Sequence, residues 1–108
     1  MTIPKLLAQL SPAASTLTML YRAPACANVK ADNLIVCNRS GSATTFRVAI
    51  SPKGAADAGA HYICYDFALA GNDTHTAALD LRLTENDEVR IYTPSANVSF
   101  HLFGTEAF

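Results

Sequence analysis

The chain has 108 residues, enough for one domain and too few for a second. Its 8 Lys plus Arg and 9 Asp plus Glu nearly cancel to a net charge of −1, and basic residues do not cluster beyond Arg22 and Lys30, which excludes the electrostatic footprint of a nucleic-acid binder. At 50% apolar and 16% charged residues the chain is too hydrophobic for disorder, and so poor in charge that part of its surface is expected to be covered by another molecule.

The first segment stands apart. Ile3, Leu6, Leu7 and Leu10 recur at near-helical spacing, but Pro4 and Pro12 bracket a stretch too short for an isolated helix. Residues 1–14 are therefore expected as an extended arm, docked on its own domain or on a neighbour, with Ile3, Leu6, Leu7 and Leu10 as candidate interface residues. Residues 15–108 are the expected folded domain. Lys5 and the triplet Ala25-Cys26-Ala27 have the form of a signal peptide's two ends, but Gln9, Ser11, Pro12, Ser15, Thr16 and Thr18 interrupt any apolar core, so no cleavage is expected. No run approaches the roughly 20 apolar residues of a membrane-spanning helix, and no membrane partner is expected.

From Thr16 onward the dominant period is two, the mark of strands. Leu17, Met19 and Tyr21 alternate with Thr16, Thr18 and Arg22. A second strand runs from Asn33 to Asn38, and a third from Thr44 to Ser51 places Phe46, Val48 and Ile50 on one face. Between them, Arg39-Ser40-Gly41-Ser42 has the composition of a turn, so the pair reads as a hairpin. Pro52 to Gly59 reads as a surface loop, and His61 to Phe67 as an aromatic-rich strand. Ala70-Gly71-Asn72-Asp73 turns the chain into Thr74–Leu83, where His75, Ala77, Leu79, Leu81 and Leu83 share a face. A turn at Thr84–Asp87 precedes Val89, Ile91 and Thr93, and a last strand carries Val98, Phe100 and Leu102 inward. About seven to eight strands with turn signals every 8–12 residues or so predict an all-β fold, a single antiparallel β-sandwich of jelly-roll-like form.

No residue set announces catalysis. Cys26, Cys37 and Cys64 are odd in number and widely spaced, which predicts free and mostly buried thiols in a protein made in a reducing cytoplasm. His61 and Cys64 fall on opposite faces of a strand, and His75 and His101 have no ligand partners at metal spacing, so no metal is expected. Asp66, Asp73, Asp80 and Asp87 are the available carboxylates; Asp73 and Asp87 read as turn residues and Asp80 as solvent-facing. Asn38-Arg39-Ser40, Asn72-Asp73-Thr74 and Asn97-Val98-Ser99 match the glycosylation triplet but lie in predicted turns. Tyr62, Tyr65, Phe67 and Tyr92 are either core or an aromatic platform for sugars.

The strand sequences Asn33-Leu34-Ile35-Val36-Cys37-Asn38-Arg39-Ser40, Ala43-Thr44-Thr45-Phe46-Arg47-Val48-Ala49-Ile50 and His61-Tyr62-Ile63-Cys64-Tyr65-Asp66 resemble a family of small virion proteins of tailed bacteriophages. The resemblance continues through Asn72-Asp73-Thr74, Glu88-Val89-Arg90-Ile91-Tyr92 and Ala96 to Gly104, and so covers about Leu6 to Glu106. It departs at Thr74–Leu83, where the family carries few charges and this chain has His75, Asp80 and Arg82. The resemblance implies a non-enzymatic structural protein of the virion with no cofactor, made in the host bacterial cytoplasm. Its expected partners are the major capsid protein or tail and neck proteins, together with copies of itself, a trimer being favoured. A capsid decoration (cement) protein is the leading expectation. The alternatives are a tail, neck or fibre accessory protein, and a host-glycan-binding sandwich that uses the Pro52–Gly59 loop and the tyrosines.

Overall fold

The computed structural model describes residues 2–108. The strands are β1 (Thr2–Leu10), β2 (Thr18–Arg22), β3 (Asn28–Asn38), β4 (Thr44–Ser51), β5 (Tyr62–Leu69), β6 (Thr74–Thr84), β7 (Glu88–Tyr92) and β8 (Val98–Ala107). They form two four-stranded antiparallel sheets, ordered β1-β8-β3-β6 and β2-β7-β4-β5. The only consecutive strands that pair are β4 and β5, joined through short 3₁₀ turns at Pro52–Gly54 and Gly59–His61. Every other connection passes from one sheet to the other.

Period-two alternation puts Val36, Phe46, Val48, Val89, Ile91, Val98, Phe100 and Leu102 at essentially zero exposure in one core shared by both sheets. Phe46 of the second sheet meets Phe100 of the first edge-on, with ring centroids 5.9 Å apart and planes at 79°. Burying each such ring contributes about 1.5–3 kcal/mol.

The link from β3 to β4 corrects the expected hairpin. Asn38 and Thr44 belong to different sheets, and the five residues between them turn a corner instead of closing a ladder. The corner is bonded to its neighbours: Asn38 N donates to Asp73 O at 2.9 Å, Arg39 N to Asn97 O at 2.9 Å, and Asn72 N to Ser40 O at 2.7 Å. The buried Asn38 amide adds bonds to Ser42 O and Ala70 O. Gly71 is required here, because a Cβ would lie 2.2 Å from Gly41 O. Gly104 is required in β8 for the same reason, 2.2 Å from Lys30 O.

All four edge strands carry an extra residue against their neighbours. Leu7 is inserted in β1, Leu20 in β2, Ile63 in β5, and β5 and β6 each set two residues against one partner residue, Tyr65-Asp66 against Arg47 and Leu79-Asp80 against Asp32. Such bulges twist an edge away from further pairing. The bulge in β2 also overturns the simple alternation predicted there: Leu20 and Tyr21 are buried, whereas Met19 faces out. β3 begins at Asn28, earlier than predicted, and bends at Asp32. Cys26 is exposed, against the expectation of mostly buried thiols, because it occupies a left-handed turn position (φ 61°) between strands.

Candidate functional site

The segment expected as an arm lies along its own domain. It is β1, the edge strand of the first sheet, paired with β8 from Thr2↔Ala107 to Leu10↔Phe100. Its four candidate interface residues divide: Leu7 and Leu10 pack on the core, while Ile3 and Leu6 remain 37% and 41% exposed. Leu6 starts an outward-facing register row that continues through Phe103, Asn33 and Ala78. The next outward row holds Gln9, His101, Ile35 and Thr76, and a third holds Ser99, Cys37 and Thr74. None of these rows holds an Asp, Glu, Lys or Arg. Charge returns in the opposite direction, at Lys30 and Arg82, which stand across from each other beside a groove of about 570 Å³ also lined by Asn28, Thr84 and Thr105. Each cation there has its own acid, Asp32 at 3.8 Å and Asp80 at 3.7 Å, so the groove has no surplus charge.

Where β1 approaches β2, the rim between the sheets is closed by a polar lock. Glu106 is 4% exposed and faces inward. Its carboxylate pairs with Lys5 Nζ at 2.8 Å and accepts a hydrogen bond from Tyr21 Oη at 2.5 Å. The hydrogen bonds from Lys5 and Tyr21 hold the Glu106 carboxyl below the usual range, whereas burial and the adjoining Glu106 push the Tyr21 phenol up. Three strands from two sheets thus meet on one carboxylate. Sequence patterning missed this lock, since Glu106 sits at the end of an apolar strand with nothing beside it to mark a partner.

The opposite rim, between β5 and β6, is closed by aromatics. Phe67 stacks against His75 at 4.5 Å and Phe46 at 5.3 Å between centroids. On the outer face of the second sheet lies a different cluster. Arg47 alternates with the buried Phe46 and Val48, so it points outward. Its guanidinium lies 4.2 Å from the Tyr65 ring centroid and 4.6 Å from that of Tyr92, between the two rings. Asp66 accepts from Arg47 Nε at 2.7 Å and from a second guanidinium nitrogen at 3.4 Å. The β5 bulge makes this possible, because it sets Tyr65 and Asp66 together opposite the single residue Arg47. Asp66 takes φ 52° to do so, a left-handed conformation uncommon outside glycine.

Tyr62 extends the cluster: its ring meets Tyr65 edge-on at 5.1 Å, and its hydroxyl donates to Asp57 at 3.3 Å. The Pro52–Gly59 loop is anchored beside it. Lys53 N donates to Asp87, Lys53 Nζ to Glu85 O at 2.7 Å, and Arg90 to Gly54 O. Burial pushes Asp87 up, but the backbone N–H groups of Thr84 and Lys53 outweigh it and hold that carboxyl low. Of the residues considered for a sugar platform, Tyr62, Tyr65 and Tyr92 come together, and Phe67 belongs to the rim instead. Arg47 and Asp66, which complete the group, have no signal in the sequence beyond polar residues at strand positions.

The remaining polar candidates are dispersed. His75 lies in the rim stack, His101 faces Gln9 at 3.3 Å, and Cys64 lies against Val48, its thiol pushed up by burial. Among the described residues no three His, Cys, Asp or Glu side chains gather around a common point, and no helix is long and apolar enough to cross a membrane. Asp73 caps its own turn by accepting from Thr74 N. No family model and no curated protein matches the chain.

Proposed function

We propose that this protein is a non-enzymatic structural component of a tailed-phage virion, a decoration or cement protein that stabilises the particle through subunit contacts. The observation that carries the reading is a stretch of the first sheet's outer face without Asp, Glu, Lys or Arg, three register rows wide from Leu6 and Phe103 to Thr74. A surface without Asp, Glu, Lys or Arg, with Leu6 exposed and Ile35 and Phe103 partly so, costs less to dehydrate than a charged one and suits a partner of similar character. The bulged edges favour contact through faces over sheet extension, so assembly would bury this face and leave the edges free.

The strand order supports the same reading. Orders β1-β8-β3-β6 and β2-β7-β4-β5, with all but one connection crossing between sheets, match the arrangement of an eight-stranded jelly roll, an architecture used by viral capsid proteins and lectins. A closed trimer would cover that stretch of the first sheet's outer face on each copy, and the major capsid protein or a neck or tail protein would supply the remaining contact. The test is depletion and re-addition on particles. Virions lacking the protein should lose resistance to heat and low salt, and added wild-type protein should restore it while Phe103→Lys protein should not. Unchanged resistance on depletion would end the cement reading.

A further inference from the structure

We infer that the outer face of the second sheet is a binding site for an uncharged glycan, centred on Tyr65, Arg47 and Asp66. This stands apart from the particle contact assigned to the first sheet, since the two outer faces point in opposite directions. Tyr65 is 61% exposed, a large aromatic surface left open to solvent. It is not loose, because Arg47 lies against one side of its ring and Tyr62 meets it edge-on. A ring fixed in this way loses little side-chain freedom when a ligand stacks on it. The polar groups beside it are fixed as well, because Asp66 and Arg47 hold each other through two hydrogen bonds.

The chemistry selects the ligand. An aromatic face accepts the C–H face of a pyranose ring, and an adjacent carboxylate and guanidinium match neighbouring sugar hydroxyls, the first accepting and the second donating. Arg47 and Asp66 neutralise each other and Asp57 adds a further carboxylate at the border, so the site offers no surplus positive charge to attract an anionic sugar. The backbone points the same way. Asp66 adopts φ 52° within a strand, and the bulge that causes it brings Tyr65 and Asp66 together over Arg47. Bulges that redirect side chains recur next to binding sites. The Pro52–Gly59 loop, tethered to Tyr62 through Asp57, forms one border.

The experiment uses the full chain on an array of neutral, amino-sugar and acidic bacterial-surface glycans, followed by titration of the best neutral oligosaccharide with tyrosine fluorescence as readout. The chain has no Trp to mask that signal. Saturable binding to a neutral glycan that survives raised salt is expected. Tyr65→Ala should weaken it about ten-fold, the loss of one aromatic stack. Asp66→Gly keeps the backbone conformation at no steric cost and removes the carboxylate together with its two bonds to Arg47, so it should fold normally and bind more weakly. Arg47→Lys keeps the charge but loses the planar group between the rings, and should also weaken binding. An array without signal would overturn the proposal. So would binding confined to acidic glycans and abolished by salt, or binding unchanged in both Tyr65→Ala and Asp66→Gly. None of these results bears on particle contact through the first sheet, which is read by particle resistance instead.

Discussion

The two rims between the sheets solve the same packing problem with opposite materials. The rim where β1 meets β2 is closed by charge, with Glu106 buried against Lys5 and Tyr21. The rim where β5 meets β6 is closed instead by the rings of Phe46, Phe67 and His75. The difference teaches that charge on this molecule is placed, not merely excluded from the core. The β1–β2 rim is ordered by specific hydrogen bonds to one buried carboxylate. A polar lock tolerates few alternative geometries, so it fixes the register of an edge strand that pairs only with β8. The β5–β6 rim is closed without charge, by ring contacts alone.

Breaking the polar lock is the strongest way to test that contrast. Glu106→Ala leaves the buried Tyr21 hydroxyl and the Lys5 ammonium without their partner, and is expected to cost about 2–3 kcal/mol in urea unfolding. Amide exchange should show β1 released before the rest of the first sheet. Glu106→Gln keeps the hydrogen-bonding shape without the charge and should cost clearly less. If the alanine variant unfolds like the wild type, the lock is decorative.

The aromatic rim should respond more mildly. Phe67 is 42% exposed, so Phe67→Ala removes only part of a buried ring and its contacts with Phe46 and His75, for an expected loss of about 1–2 kcal/mol. A loss as large as that of Glu106→Ala would erase the asymmetry between the rims.

The smallest effect is in pH dependence, where the two groups of the lock act with opposite sign. Glu106 has a lowered pKa in the folded protein. Its contribution is therefore present above the ordinary carboxylate value near about 4.3 and lost as pH falls through the folded value. Tyr21 is raised, so its contribution is present below the ordinary phenol value of about 10 and lost as pH rises further. Unfolding midpoints measured from acid to alkaline pH should show both declines in the wild type. Glu106→Gln should reduce the acid arm to the part that Asp87, also held low, contributes, and Phe67→Ala should leave both arms in place.

How much of this was legible follows from what alternation can encode. Phe46, Val48, Phe100 and Leu102 were identified as core because a half-buried strand writes burial at every second residue. The β3–β4 hairpin was misread because turn composition at Arg39–Ser42 is the same whether the next strand pairs back or crosses to the other sheet. Met19 was placed on the wrong face because one inserted residue, Leu20, reverses the alternation with no mark in residue type. The tyrosines of the second face were visible as a class, but Arg47 and Asp66 join them only through a bulge. Lys5 and Glu106 are about as far apart as the chain allows, so only the β1–β8 pairing brings them together.

The central claim is that the stretch of the first sheet's outer face without Asp, Glu, Lys or Arg is a subunit-contact surface. The most direct measurement is solution mass by light scattering after size exclusion, for wild type and Phe103→Lys across a range of concentrations. The account predicts a wild type with the mass of three subunits and a folded variant with the mass of one. A wild type that stays at one subunit throughout, indistinguishable from Phe103→Lys, would contradict it.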